Sequence, residues 1–315
     1  MPRRDPWPAG WIATGRARIG VRRVLRAEAV AGIAAPAKLN LGLAVTGRRT
    51  DGYHKLVTLM VSLSLADTVR VESATSFSLA CDDPAMVTDD NLVMRAARGW
   101  QALTGERGAA RITLMKRIPV SAGLGGGSGD AAATLIALDA LWSARTPDAA
   151  LLDLARSLGA DVPFALYGGA MVARGIGDVL TPAPVPDVWV VLVVPHIVIP
   201  RKTAALYGAL APGDFGDGAA ITRQVAGLRA GKSLDPALLG NTFLAPLERI
   251  APAVAATRAA MGAHGVVACL SGSGPTLYVP CDSEAVAHMH ADHFRRSLDA
   301  TVIVARTAAL ERGND

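Results

Sequence analysis

Residues 37–45 (AKLNLGLAV) alternate small or apolar side chains with polar ones, the period-two pattern of a half-buried strand. Ordered structure is expected from about Gly32. A polar turn over residues 46–52 separates this strand from two further predicted strands, residues 56–65 and 67–72. Residues 91–103 change to helical spacing, with Leu92, Ala96 and Leu103 near one face. Residues 111–116 return to a strand, residues 130–142 are rich in strong helix formers, and residues 149–158 form a helix that Gly159 stops. Three prolines (Pro182, Pro184, Pro186) then mark a linker. Beyond it the pattern predicts strands at 188–194, 266–271, 276–279 and 301–305. Helices are expected at 203–210, around 219–228, after Ala251 and at 283–298. Strands and helices mixed in both halves indicate an α+β architecture in two lobes. The expected division is a basic N-terminal extension without ordered structure (residues 1–31), a first domain (32–185) and a second (186–310).

Between the strand at 111–116 and the helix at 130–142 lies a segment with no side chains to fill a core. Residues 121–129 hold five glycines and two serines. Glycine permits tight turns and close approach of backbone to a ligand. The unpaired N–H groups at the start of the following helix form an anion site, to which Ser121 and Ser128 add hydroxyl donors. A flexible linker is the other use of such a run, but its place between a strand and a helix argues for a phosphate cradle. It is not a Walker A loop, because no lysine follows the glycines. Nor is it a Rossmann fingerprint, because Ser128 stands at the third glycine position.

Charge narrows the classes of partner. The formal net charge of +5 is accounted for by seven arginines against two acids in the first 30 residues, so the folded body is neutral. That argues against nucleic-acid binding by the body. The longest apolar run, 188–194, is broken at Pro195 and His196 and is too short to span a bilayer. Three cysteines, Cys81, Cys269 and Cys281, are widely spaced and lack a CxxC pair. They suit a reducing cytoplasm rather than a disulfide framework or a zinc site. His288, His290 and His293 are expected to form a solvated helix face, since i and i+2 point apart on a helix. No protein metal site is expected.

Several stretches carry a specific resemblance. PVSAGLGGGS (119–128) resembles the phosphate loop of the GHMP kinases, a superfamily of small-molecule kinases. APAKLNL (35–41), DGYH (51–54), LGADVPF (158–164) with Gly168–Gly169 and Gly175–Gly177, and SGSGPT (271–276) follow in the same order as in one branch of it. That branch acts on 4-diphosphocytidyl-2-C-methyl-D-erythritol. The resemblance covers about residues 34–310 and rests on the ordered set. It departs at Ser121-Ala122, at Gly129 after Ser128, and at Asn241-Thr242-Phe243, where the family tends to read Asn-Asp-Leu/Phe.

The resemblance implies a ribosomal-protein-S5-domain-2-like N-lobe and a ferredoxin-like C-lobe. It further implies ATP-dependent phosphorylation of the 2-hydroxyl of that substrate, a step of non-mevalonate (MEP) isoprenoid precursor biosynthesis. Lys38 and Asp161 are then the catalytic pair. The ammonium would lie near the acceptor hydroxyl and γ-phosphate, and the carboxylate would accept or orient the hydroxyl proton. ATP would lie on Pro119, Val120, Ser121, Ala122, Gly123, Leu124, Gly125, Gly126, Gly127, Ser128 and Gly129. Tyr53 and Tyr207 would sandwich the cytosine, with His54 on its edge and Asn40 and Thr203 on polar groups of the substrate. Mg²⁺ would accompany ATP, held by phosphate oxygens and water. The partners expected are a small molecule, no nucleic acid and no membrane, with monomer and homodimer both open. Two alternatives stand beside this reading: a homoserine or mevalonate type of GHMP kinase, and a non-catalytic α+β nucleic-acid-binding module.

Overall fold

The computed structural model describes residues 29–308, with side chains from residue 32. The extension expected over 1–31 lies outside the described residues, except that its last three open the first strand. That strand, β1 (Ala29–Arg48), turns at residues 49–53 into β2 (His54–Ala74). β3 (Ser78–Cys81), α1 (Leu92–Thr104) and β4 (Ala109–Met115) follow. Then come α2 (Gly126–Leu141), α3 (Asp148–Leu158), α4 (Val162–Tyr167), β5 (Ala170–Gly175) and β6 (Val179–Pro182).

β2 is the hub of this first sheet. β1 runs antiparallel along one edge. The other edge is shared by β5, opposite residues 56–61, and β4, opposite residues 68–74. The sequence pattern predicts two strands here because Ala66-Asp67 interrupts the apolar run. The structure holds one strand of 21 residues, with Asp67 fully buried inside it. Its carboxylate accepts from the backbone of Arg117 (2.5 Å) and Ile118 (2.8 Å) and from Lys116 Nζ (2.5 Å). The apparent break in the pattern is therefore a receptor for the segment that enters the glycine loop. β3, α4, β5 and β6 are also absent from the sequence prediction. They are four to six residues long, too short for periodicity to show.

α2 is buried on every side from Gly129 to Asp139. A helix enclosed in this way needs small side chains all round, which explains its alanines. Its first turn also corrects the expected start: it begins at Gly126, not at Asp130, so the last glycines of the loop are already helical.

The second half contains β7 (Trp189–Pro195), α5 (Lys202–Gly208), α6 (Ala219–Arg229), α7 (Leu244–Ile250), α8 (Pro252–Gly262), β8 (Cys269–Leu270), β9 (Leu277–Cys281), α9 (Glu284–Ser297) and β10 (Ala300–Arg306). The sheet order is β10-β7-β9-β8. Numbered within the lobe this is 4-1-3-2 with antiparallel neighbours, a ferredoxin-like arrangement in which several helices fill the first crossover. β7 explains its unbroken apolar run: Val190 and Leu192 face a core shared with Leu39 and Leu41 of β1, while Val191 and Val193 face a second core with Leu247 and Phe294.

The two lobes are stitched together by backbone hydrogen bonds. Leu43 N–H donates to Gly240 (2.9 Å), and Leu43 O accepts from Thr242 N–H (2.9 Å), at a register break in β1. At the far end Ala308 N–H donates to Ser62 O (2.8 Å). Among the described residues no helix is long and apolar enough to cross a membrane.

Candidate active site

The glycine loop forms one wall of a cavity of about 1200 Å³, which residues 119–128 line from end to end; Gly129 sits behind it. The first intrahelical bond of α2 runs from Gly129 N–H to Gly125 O (2.9 Å). Gly126, Gly127 and Ser128 therefore keep N–H groups with no acceptor in the helix, at the positive end of its dipole. Two of the glycines are required by space as well as by conformation. At Gly123 (φ 84°) a Cβ would stand 2.6 Å from Gly274 O, and at Gly125 (φ 70°) 2.7 Å from Lys38 Cγ. The loop is thus wedged between the C-lobe segment 271–276 and the stem of Lys38.

That C-lobe segment holds the loop from behind. Thr276 donates to Ala122 O through its hydroxyl (2.7 Å) and its N–H (3.3 Å), and both Thr276 and Ser271 are fully buried. The Tyr278 hydroxyl donates to Asn40 O (3.1 Å), tying β9 to β1. The SGSGPT motif is therefore a brace for the phosphate loop, built from the other lobe.

Lys38 and Asp161 come together although they stand 123 positions apart in the chain. Lys38 N–H donates to Leu124 O (2.8 Å), which fixes β1 beneath the loop. Its Nζ lies 3.5 Å from Asp161 Oδ2. The lysine side chain is 9% exposed and the aspartate 36%, so the carboxylate is the member that a solvent-side hydroxyl can reach. Asp161 precedes α4 but makes no side-chain cap there; its charge is turned to Lys38 instead. Asn40 is 2% exposed. Its Oδ1 accepts from Lys38 Nζ (2.6 Å) and its Nδ2 donates to Thr58 Oγ1 (2.9 Å), which in turn donates to Gly42 O (2.7 Å).

His54 and Tyr207 stack with ring centroids 4.7 Å apart, and Phe243 closes on Tyr207 edge-on at 5.0 Å. Burial and then the charge of Asp161 raise the Tyr207 hydroxyl above its usual pKa. Burial, with Arg48, lowers His54 and keeps it neutral near pH 7. Because the two rings touch, no planar group fits between them. Tyr53 stands apart at the β1–β2 turn, 62% exposed. Thr203 lines the cavity.

Two lysines that sequence reasoning passes over also belong to the site. Lys116 lies between Asp67 (2.5 Å) and Asp130 (2.8 Å) at the cavity wall. Burial alone would lower Lys116, but Asp130 and Asp67 override it and hold the ammonium protonated. Burial pushes Asp130 up to about 7 against the pull of Lys116. Lys202, first residue of α5, donates to Ser121 O (2.7 Å) and to Gly274 O. No pattern in the sequence distinguishes either lysine from a surface one. The helix carrying His288, His290 and His293 lies apart from these residues in the chain, and those rings meet Glu284, Phe294 and His264 instead.

Comparison with known proteins agrees with this arrangement. The family profile for the GHMP kinases N terminal domain matches residues 91–169, and that for GHMP kinases C terminal matches 227–296. A protein of Cereibacter sphaeroides named 4-diphosphocytidyl-2-C-methyl-D-erythritol kinase is 42% identical over 269 residues, covering 82% of this chain and 92% of the relative. One of the same name from Thermus thermophilus is 41% identical over 267 residues, covering 84% and 90%. A crystal structure described as 4-(cytidine 5'-diphospho)-2C-methyl-D-erythritol kinase superposes with a TM-score of 0.76 at 38% identity, covering 88% of this chain and all of the other. With this identity over most of both chains and both GHMP kinase profiles matched, the chain belongs to the 4-diphosphocytidyl-2-C-methyl-D-erythritol kinase family of the GHMP kinases.

Proposed function

We propose that this chain transfers the γ-phosphoryl group of ATP to the 2-hydroxyl of 4-diphosphocytidyl-2-C-methyl-D-erythritol, in non-mevalonate isoprenoid precursor biosynthesis in the cytoplasm. The observation that carries the reading is the Lys38–Asp161 pair set against the glycine loop, with Lys38 N–H donating to Leu124 O. Phosphoryl transfer asks for positioning and charge neutralisation more than for covalent chemistry. In this reading the N–H groups of residues 126–128 hold the phosphates and Lys38 neutralises charge on the transferring group. Asp161 accepts the proton of the acceptor hydroxyl. Asn40 positions Lys38, since its amide is taken by Lys38 and Thr58. Tyr207 and His54 offer the cytosine a stacking face and a polar edge, with Tyr53 closing over it and Thr203 bordering the acceptor.

Mg²⁺ would arrive with the nucleotide and neutralise phosphate charge. The lining fits this ion: Asp130 Oδ1 is buried without a hydrogen-bond partner among the described residues, an acceptor for a water on an ion carried by phosphate oxygens. The reading divides the chain at 185/186, with the strands of the first sheet before that point and those of the second after it. The free thiols of Cys81, Cys269 and Cys281 support the cytoplasmic assignment.

ADP release measured with the cytidyl substrate beside homoserine and mevalonate tests this. The cytidyl substrate should give a kcat/KM at least ~10³-fold above the others, since their lack of a base leaves the aromatic subsite empty. Equal or greater turnover of homoserine or mevalonate would overturn the assignment.

A further inference from the structure

We infer that Lys202 is a second phosphate-binding lysine, whose ammonium closes the open side of the glycine loop and contacts the terminal phosphates of ATP. This rests on the kinase reading above and adds a residue to it. Lys202 Nζ donates to the carbonyls of Ser121 and Gly274, one in the phosphate loop and one in the brace from the other lobe. An ammonium has three protons, so one remains, and the residue lines the same cavity as the loop.

Charge is the second part of the argument. Lys38 is paired with Asp161, and Lys116 with Asp67 and Asp130. Lys202 is in no ion pair among the described residues, although it is half-buried. A sheltered cation without a counterion is costly unless a ligand supplies the opposite charge. Burial and then the charge of Lys38 push the Lys202 ammonium down to about 8. Asp161 answers the charge of Lys38 and no carboxylate answers that of Lys202 among the described residues, so excess positive charge sits at the glycine loop.

The titratable surroundings are few. The charge of Lys38, on β1, acts on Lys202, and Asp161, before α4, is the partner of Lys38. Arg201 precedes Lys202, and Tyr207 is on the same helix as Lys202. Residues 119–128 and 271–276 carry no titratable side chain, while Lys116, Asp130 and Asp90 border the same cavity.

Two measurements test this on the full chain. The first is equilibrium binding of ATP and of AMP, without acceptor, for wild type, Lys202→Met and Lys202→Arg. Lys202→Met should lose about 10–100-fold in affinity for ATP, the range of a charge-assisted hydrogen bond, while AMP binding stays within about threefold. The second is kcat/KM for ATP against pH. The wild type should decline above about pH 8, where the free enzyme's ammonium loses its proton. That limb should vanish in Lys202→Met and move up beyond about pH 9.5 in Lys202→Arg, whose charge persists. Unchanged ATP affinity in Lys202→Met overturns the proposal. So does an equal loss for ATP and AMP with the alkaline limb intact, the result of a lysine that only clasps two carbonyls. If no acceptor supports turnover, the kinase reading fails, and the ATP/AMP comparison still decides the role of Lys202.

Discussion

Lys38 Nζ sits 2.6 Å from Asn40 Oδ1 and 3.5 Å from Asp161 Oδ2, so the closer partner of the buried ammonium is the neutral amide. The amide fixes where the lysine points. The carboxylate is the looser and more exposed partner, open to a hydroxyl from the solvent side.

That separation makes the aspartate the member whose loss should be purely chemical. Asp161→Asn keeps shape and removes the proton acceptor. It should lower kcat by about 10²–10⁴-fold, the usual range for a positioned general base, with the ATP dissociation constant changed by less than about threefold. Single-turnover rates and calorimetric ATP titration read the two effects separately. Normal turnover in this variant would remove Asp161 from the chemistry.

Asn40→Leu should act through Lys38. The variant deletes a buried hydrogen bond to a charged group, worth about 1.5–3 kcal/mol, and takes away the donor to Thr58 Oγ1, which keeps its bond to Gly42 O. A drop in kcat of at least about tenfold is expected together with a lower melting temperature. Thr58→Val, one step further from the ammonium, should lose stability with a smaller loss of kcat. Equal kcat losses in the two variants would place the control of Lys38 elsewhere.

The aromatic pair should matter to one substrate only. Tyr207→Ala removes the ring that stacks on His54 and packs edge-on to Phe243. Base stacking contributes about 1–3 kcal/mol, so KM for the cytidyl acceptor should rise by roughly 5–150-fold while KM for ATP holds. A matching rise in KM for ATP would show that the ring supports the loop rather than the acceptor.

Gly125→Ala places a methyl 2.7 Å from Lys38 Cγ at φ 70°. The left-handed backbone alone costs about 1–2 kcal/mol for a residue with a Cβ. The displaced lysine should lower kcat as well, so thermal stability and kcat should fall together. Loss of stability with kcat intact would mean that Lys38 tolerates the shift.

Much of this site is visible in the letters, because the loop, Lys38, Asp161 and DGYH lie in short motifs whose chemistry is local. What is hidden has a common cause. Asp67 looks like the end of a strand, since its three donors at residues 116–118 are some 50 positions away and only the fold brings them in. Lys202 looks like a surface lysine, because its meaning comes from carbonyls at 121 and 274. Asn40 sits inside a recognised motif, yet its partners show it holding the lysine rather than facing the cavity. The glycines at 126–129 read as loop because glycine disfavours helix, whereas the pressure of β1 against α2 overrides that propensity.

The central claim is a destination for the phosphate, and ³¹P NMR of the product formed from ATP and 4-diphosphocytidyl-2-C-methyl-D-erythritol reads it directly. The account predicts a new phosphomonoester on the 2-hydroxyl, formed by the wild type and nearly absent with Asp161→Asn. Phosphate on a different hydroxyl, or ADP formed with the cytidyl compound unchanged, would contradict it.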